Sequence, residues 1–303
     1  MTQSLVQIAD ALIGTPDLYA ALRAVGRDVP IADVIAALRG GSGTAQATAD
    51  RLASVDAGLL QAVVRHGAGL PAIPAAAAIL AHLAQTPPAP MFRPDLAQSR
   101  TLALPTEGQH PDMPAFSERA FDAWFAAKAA GGLLYGLGRY GERRHVYDTP
   151  QFADAASPER RSVHLGIDVF APAGTPVHAP LPGRVLHVTY NAEALDYGHT
   201  LILRHDAGGV PFCTLFGHLG GTLPHRLAVG DPVAPGQVIA HLGDWHENGG
   251  WAAHLHVQIM TDMLAQTGGN FFGVGHPSLL DVWTQILIDP NLILRLPPDR
   301  FQV

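Results

Sequence analysis

The stretch HLGIDVFAPAGTPVHAPLPGRVLHV, residues 164–188, lies where the chain changes its pattern. Short runs rich in Val, Ile and Leu alternate here with glycine and proline, and the pattern continues through TLILRHD, PFCTLFGH, QVIAHLGD and HLHVQIM. Such spacing predicts a β-rich unit over residues 162–262, a compact antiparallel barrel or sandwich. Within it, AVGDPVAPGQVIA predicts a tight pair of hairpins, with Gly230 and Gly236 at the turns.

Residues 1–86 show helical rather than strand periodicity, because their apolar positions recur three and four residues apart. Thr15 is the expected N-cap of the second helix, with Pro16 at its first helical position. Further helical runs are predicted at residues 31–39, 44–66 and 74–85. We therefore expect an N-terminal helical bundle and, for the whole chain, an α+β multidomain fold.

The remaining segments connect or extend these two units. Residues 87–161 begin with a proline-rich stretch that lacks a clear period, which favours a linker or an extended wrap. A helix is expected at 117–130 within this linker. Residues 263–303 form a C-terminal extension, with a helix expected at 278–288.

Composition excludes several classes of protein. The chain has 303 residues, 48% of them hydrophobic, and a net charge of −7, which argues against a nucleic-acid partner. Its one cysteine, Cys213, excludes an intrachain disulfide. The N-terminus lacks the basic region of a signal peptide, and the apolar stretch at 75–81 is too short to span a bilayer. We expect a cytoplasmic protein without a transmembrane segment, and the oligomeric state stays open.

Two polar pairs point to a metal site. In an extended strand alternate residues share a face, so His164 and Asp168 point the same way with room left at Gly166 between them. His254 and His256 share a face for the same reason. Joined, the two segments would offer two or three nitrogen and oxygen ligands plus an open position, which is the arrangement of a catalytic zinc site.

Other chemistries fit the sequence less well. The HENGG stretch has Gly250 where a helical zinc motif needs its second histidine, and a cupin-like site would need a glutamate near Gln258. No cysteine pair is present for a structural zinc, and no G-x-S-x-G elbow is present for a serine nucleophile.

The ordered set of motifs resembles the M23 (LytM/lysostaphin-like) family of zinc metallopeptidases. The resemblance is carried by the stretch at 164–188, then DYGHTLILRH, TLFGHL, VGDPVAPGQVIAHLGD and HLHVQI, and covers about residues 162–262. It implies a compact antiparallel β structure around a zinc groove. It also implies hydrolysis of peptide or other amide bonds, with peptidoglycan-derived peptides among the candidate substrates.

The resemblance assigns roles to five residues of this chain. His164, Asp168 and His256 would bind Zn²⁺, and His218 and His254 would be the catalytic histidines. The chemistry agrees with these roles, because two neutral imidazoles and one carboxylate leave a fourth zinc position for water.

The sequence also departs from the family. Trp245, His246, Glu247 and Trp251 would rim the groove and could narrow it, and Gln258 replaces a common glutamate. The alternative is therefore a binding or regulatory module that keeps the fold without hydrolysis. A phosphocarrier with a phosphorylated histidine is a third possibility, but an aspartate beside paired histidines favours metal.

Upstream of the motifs, LGRYGERRHVYDTPQF leaves two interpretations open. Arg139, Arg143 and Arg144 could bind a substrate carboxylate, or they could belong to a solvated linker whose charges pair locally. For Tyr197, in the turn DYGHT, we expect a packing role.

Overall fold

The computed structural model describes residues 4–106, 110–147 and 149–302. Its first part is helical, as predicted. Ser4 begins the first helix with a reciprocal cap. The Ser4 hydroxyl accepts from the Gln7 backbone N–H, and the Gln7 side-chain oxygen accepts from the Ser4 backbone N–H. The six helices of this region are α1 (Leu5–Leu12), α2 (Leu18–Ala24), α3 (Ile31–Arg39), α4 (Thr44–Ala53), α5 (Ala57–Gly67) and α6 (Ala76–Gln85).

Two helix boundaries differ from the prediction. Asp17, rather than Thr15, caps α2, and its carboxylate accepts from the Ala20 N–H at 3.1 Å. The run predicted at 44–66 is divided into α4 and α5, because Asp56 caps a new helix by accepting from the Leu59 N–H.

The helical region shares a hydrophobic core with the rest of the chain. Tyr19, Leu22 and Val63 from the helices belong to the same buried cluster as Leu165 and Trp283 from the C-terminal half. Burial of large apolar side chains on both sides stabilises their association by roughly 25 cal/mol for each Å² removed from water. Apolar packing therefore holds the helices against the β-rich half.

From residue 101 onward the described chain consists mainly of strands. One helix lies between the first two strands, and three short helices follow later. Strands β1 (Thr101–Ala103) and β2 (Tyr135–Gly138) flank helix α7 (Ala120–Ala129). The later strands are β3 (Val163–His164), β4 (Ile167–Phe170), β5 (Pro176–His178), β6 (Gly183–Asn191), β7 (Gly198–Asp206), β8 (Pro211–Leu219), β9 (Pro232–Val233), β10 (Val238–His241), β11 (His254–Met260), β12 (Val274–Gly275) and β13 (Leu287–Ile288). The later helices are α8 (Leu223–Arg226), α9 (Leu280–Ile286) and α10 (Asn291–Leu294).

Nine of these strands form one mixed sheet. Its order is β1-β2-β4-β11-β8-β7-β6-β9, with β13 paired to β11. The β1·β2 pair is parallel and the other pairs are antiparallel. The α+β class is therefore confirmed, whereas the fully antiparallel barrel or sandwich is not: the path through the described strands begins at β1 and ends at β9 without closing.

The sheet also draws on segments outside residues 162–262. The proline-rich stretch supplies β1, and the C-terminal extension supplies β13. The predicted pair of hairpins at 228–240 is wrong, because the two strands of this stretch do not pair with each other. Strand β9 pairs with β6, and β10 pairs with β5. Gly230 and Gly236 nevertheless lie at turns with positive φ, of 92° and 77°.

The register at the centre of the sheet positions the site. Strand β11 runs antiparallel between β4 and β8, which places His256 directly opposite Asp168 on one side and Gly217 on the other. Directly opposed residues of an antiparallel pair project from the same face. Across the described ranges, no helix is long and apolar enough to cross a membrane.

Candidate metal and catalytic site

The structure brings His164, Asp168 and His256 together, and all three side chains are buried. His164 Nε2 lies 3.0 Å from His256 Nδ1 and 3.2 Å from Asp168 Oδ1. His256 Nδ1 lies 2.9 Å from the same carboxylate oxygen. Three donor atoms from β3, β4 and β11 therefore form a compact triangle.

This triangle fits a zinc ion. Ligand atoms bound 2.0–2.1 Å from tetrahedral zinc lie about 3.3–3.4 Å from one another, slightly more than the separations found here. The set of two imidazoles and one carboxylate is typical of a catalytic site that keeps one position open. The donor set thus needs only a small outward adjustment to hold the ion.

Hydrogen bonds and packing orient both histidines of the triangle. His164 Nδ1 lies 2.7 Å from the Arg139 carbonyl oxygen, which is a hydrogen bond when that nitrogen carries the proton and leaves Nε2 free as a ligand. The His256 ring lies over Gly166: a Cβ at that position would be 2.4 Å from His256 Cε1 and 2.5 Å from Nε2. Gly166 therefore makes room for the His256 imidazole, whereas the sequence alone suggested that it leaves room for an ion.

Replacing Gly166 by alanine is expected to weaken zinc binding at least tenfold, because the methyl group would push the His256 ring away from the other ligands. Competition with a chromogenic chelator measures the affinity. The matched control is Gly268→Ala, where an added Cβ meets nothing within 4 Å and φ is not positive. Equal zinc affinity in both variants would show that the ring does not need this space.

The second carboxylate oxygen of Asp168 is held by Arg144. The guanidinium is only 3% exposed, and its Nη1 donates to Asp168 Oδ2 at 2.7 Å. Its Nε donates to the Glu142 carboxylate at 3.1 Å, and its Cζ lies 5.5 Å from the Phe116 ring centre. Arg144 is thus neither a solvated linker residue nor a free cation for substrate. Arg143 is exposed, and Arg139 contributes its carbonyl.

His218 and His254 lie beside the triangle, with ring centres 4.2 Å apart. His218 adopts a left-handed backbone conformation with φ of 61°, which a histidine rarely takes. Its Nδ1 lies 2.7 Å from the Asn248 carbonyl oxygen, and His254 Nδ1 lies 2.7 Å from the Ala252 carbonyl oxygen. If both Nδ1 atoms carry their protons, each ring presents an Nε2 lone pair.

Burial sets the charge of these groups. It lowers the pKa of His254 and of His256 to about 4. Burial, followed by the nearby His254 and His256, holds the pKa of His218 well below its ordinary value. Burial opposes ionisation of Asp168, yet the attraction of His164 and Arg144 holds the pKa of its carboxyl well below the usual range. Near neutral pH the metal-free site therefore combines a carboxylate with neutral imidazoles.

The expected rim residues are mostly placed elsewhere. Trp245 is buried against α7, where its Nε1 donates to Asp122 at 2.7 Å. The His246 side chain is 73% exposed, and the Glu247 carboxylate accepts from backbone N–H groups of neighbouring turns. Of the four residues only Trp251 lines the cavity that contains the histidines.

Tyr197 lines this cavity and is hydrogen-bonded to Gln258. The Tyr197 hydroxyl donates to Gln258 Oε1 at 3.3 Å, and its ring centre lies 5.2 Å from that of His256. Gln258 Nε2 donates to the Phe272 carbonyl at 2.8 Å. Tyr197 therefore packs, as expected, and also shapes the site, while Gln258 holds the segment after it in place.

Sequence reasoning missed several residues of the site. It treated Arg144 only as a surface or substrate-binding cation, and it did not include Phe116, Phe152 or Phe271, which line the cavity. These residues belong to segments without a strand or helix period that ties them to the motifs. No local sequence signal could have revealed them.

Comparison with known proteins agrees with the motifs. The family model of peptidase family M23 matches residues 162–267. A search of curated proteins gave no match.

Solved structures share part of the chain. A zinc-containing peptidase from Vibrio cholerae is 30% identical, over 33% of this chain and 28% of that chain, with a TM-score of 0.28. A second similar structure is the catalytic domain of the antimicrobial peptidase lysostaphin from Staphylococcus simulans. It is 25% identical over 39% of this chain and 79% of that chain, with a TM-score of 0.28.

The sequence match, the order of the motifs and the convergence of their polar residues agree with one another. The resemblance to peptidase family M23 is thereby confirmed for residues 162–267, about one third of the chain.

Proposed function

We propose that this chain is a zinc-dependent hydrolase of peptide or other amide bonds. The observation that carries the proposal is the buried triangle of His164, Asp168 and His256, whose donor atoms lie 2.9–3.2 Å apart. The match of residues 162–267 to a peptidase family supports the same reaction class.

In this proposal His164 Nε2, Asp168 Oδ1 and His256 Nδ1 hold the ion. When bound, zinc supplies a Lewis acid and lowers the pKa of a bound water to about 7. Arg144 keeps the carboxylate oriented by binding its other oxygen.

His218 and His254 would move the protons. Each has Nδ1 turned to a backbone carbonyl, so Nε2 can accept a proton from the attacking water and return it to the leaving nitrogen. In the net reaction a C–O bond forms, the amide C–N bond breaks, and the proton lost by water ends on the amine. A protonated imidazole could also stabilise the developing oxyanion.

A non-hydrolytic binding module is the second candidate. It is favoured by the side chains that crowd the site, since Trp251, Phe116 and Phe271 line the same cavity as the histidines. Bound zinc without turnover of any peptide, muropeptide or small amide would support it. Hydrolysis that depends on His218 and His254 would exclude it.

The experiment combines metal analysis with hydrolysis assays on the full chain. The purified protein is expected to contain about one zinc ion, to cut N-acetylated peptides, and to lose and regain activity on chelation and zinc addition. His164→Ala and His256→Ala should lose both zinc and activity. Zinc retained in both variants would contradict the assigned ligands.

Peptidoglycan-derived peptides are one proposed source of substrate, and a cytoplasmic location stays a prediction. The chain spans 28% of the length of the Vibrio cholerae peptidase to which it is similar.

A further inference from the structure

The cavity that contains the proposed zinc ligands is small and is walled by segments outside the central motifs. Its volume is about 300 Å³, at the lower end of the range for small-molecule sites. Phe116 and Phe152 come from the segment before β3, and Phe271 and Phe272 come from the segment after β11. This size fits a short substrate or a chain end better than the middle of a polymer.

Arg161 is a cation in the wall of the same cavity. Its guanidinium carbon lies 5.8 Å from the ring centre of Phe152 and 5.4 Å from that of Phe272. Its Nη2 donates to the Gln151 carbonyl at 3.2 Å. Arg161 thus lies against two aromatic rings, and a planar guanidinium can bind a carboxylate through two hydrogen bonds.

No carboxylate of the described residues lies within 4.0 Å of this guanidinium. Asp154, which acts electrostatically on Arg161, accepts from the Tyr19 hydroxyl and the Ala156 N–H. Asp196, which lines the same cavity, accepts from the Asn270 amide and a backbone N–H. Burial lowers the pKa of Arg161, while Asp154 partly offsets that effect. The charge is thus partly desolvated without a direct counter-ion in the described chain.

We propose that Arg161 binds the free carboxylate of a short substrate, so that the amide bond cut lies close to a carboxyl-terminal end. This proposal rests on the proposed function and names its substrate class: peptides, or peptide-like amides, that end in a carboxylate inside the cavity. Hydrolysis adds water across that amide bond, leaving a new carboxylate on the longer fragment and releasing a small amine that carries the original carboxylate.

Paired substrates test this inference on the zinc-loaded full chain. N-acetylated tripeptides of glycine, L-alanine and D-alanine are compared as free acids and as carboxyl-terminal amides. We expect kcat/KM to be roughly tenfold to hundredfold higher for the acid, the effect of one charge-assisted interaction. Arg161→Gln should remove this preference by slowing only the acid, and Arg161→Lys should retain part of it. Arg226→Gln, at an exposed position outside the cavity, is the matched control.

Calorimetric binding of the same acid and amide peptides gives a readout that does not require turnover. Weaker binding of the amide, with the difference lost in Arg161→Gln while the melting temperature is kept, supports the inference. Equal cleavage and equal binding of acid and amide overturn the inference and leave the hydrolase proposal standing. Zinc binding without cleavage of any peptide contradicts the hydrolase proposal, and the binding comparison then decides the role of Arg161.

Discussion

Replacing Asp168 by alanine is expected to abolish zinc binding and to lower the free energy of unfolding of the metal-free protein by about 3–5 kcal/mol. The metal effect follows from the loss of the carboxylate shared by His164 and His256. The stability effect has a different cause. Arg144 is 3% exposed and would keep Glu142 as its remaining acidic partner, so part of a buried positive charge would be uncompensated. Urea unfolding after chelation measures the stability, and elemental analysis measures the zinc.

A second substitution separates the two effects. In Asp168→Ala combined with Arg144→Met, the unpaired cation is gone, so much of the lost stability should return while zinc binding stays absent. Arg144→Met alone should keep the zinc site but weaken it roughly 10–100-fold, because the carboxylate loses its orienting partner. Asp206→Ala, at an exposed position, is the control. A loss below about 1 kcal/mol in Asp168→Ala would contradict the buried pair.

Substitution of His218 or His254 is expected to lower kcat by roughly 10²–10⁴-fold while zinc remains bound. Neither residue belongs to the triangle of His164, Asp168 and His256, yet their tilted rings lie beside it with centres 4.2 Å apart. For His218 the replacement is asparagine, because this residue tolerates the left-handed backbone found there, with φ of 61°. His254→Ala is the second variant. Steady-state kinetics and elemental analysis on the same samples provide the measurement.

The pattern of losses distinguishes catalysis from structure. The double variant should be little slower than the worse single variant, because residues that act in one proton relay are not additive. His246→Ala, whose side chain is 73% exposed, should leave kcat unchanged. Loss of zinc in His218→Asn, or unchanged rates in both single variants, would remove these histidines from the proposed mechanism.

The local elements were predictable where one segment contains the whole signal. The helix α3 begins and ends where the apolar period predicts, and β11 covers the HLHVQIM stretch. Alternation predicted a shared face for His254 and His256, which do lie in one strand, β11. His164 and Asp168 were expected in one extended strand too, but they lie in separate strands, β3 and β4, which pair in different sheets. The predicted helix start was wrong where two possible N-caps lie close together. At α2 both Thr15 and Asp17 can accept a hydrogen bond from the first N–H groups of a helix, and Asp17 is the cap.

The pairing of strands was less predictable. AVGDPVAPGQVIA looks like adjacent hairpins, but its two strands pair with β6 and β5, which lie far earlier in the chain. Short strands have few side chains, so long-range packing rather than local sequence decides their partners. The same reason explains why β1 and β13 joined the sheet without having been expected.

By itself the sequence determined that the chain is an α+β protein and that about residues 162–262 resemble peptidase family M23, a resemblance that the family model extends to residue 267. It also selected the candidate site residues His164, Asp168, His218, His254 and His256. Only the tertiary structure decided that Arg144 binds the second oxygen of Asp168, that Trp245 lies against α7, and that Arg161 lines the cavity. The physical reason is distance along the chain. Motifs and periods are encoded within a few residues, whereas buried charge pairs and cavity walls form between segments that meet only after folding.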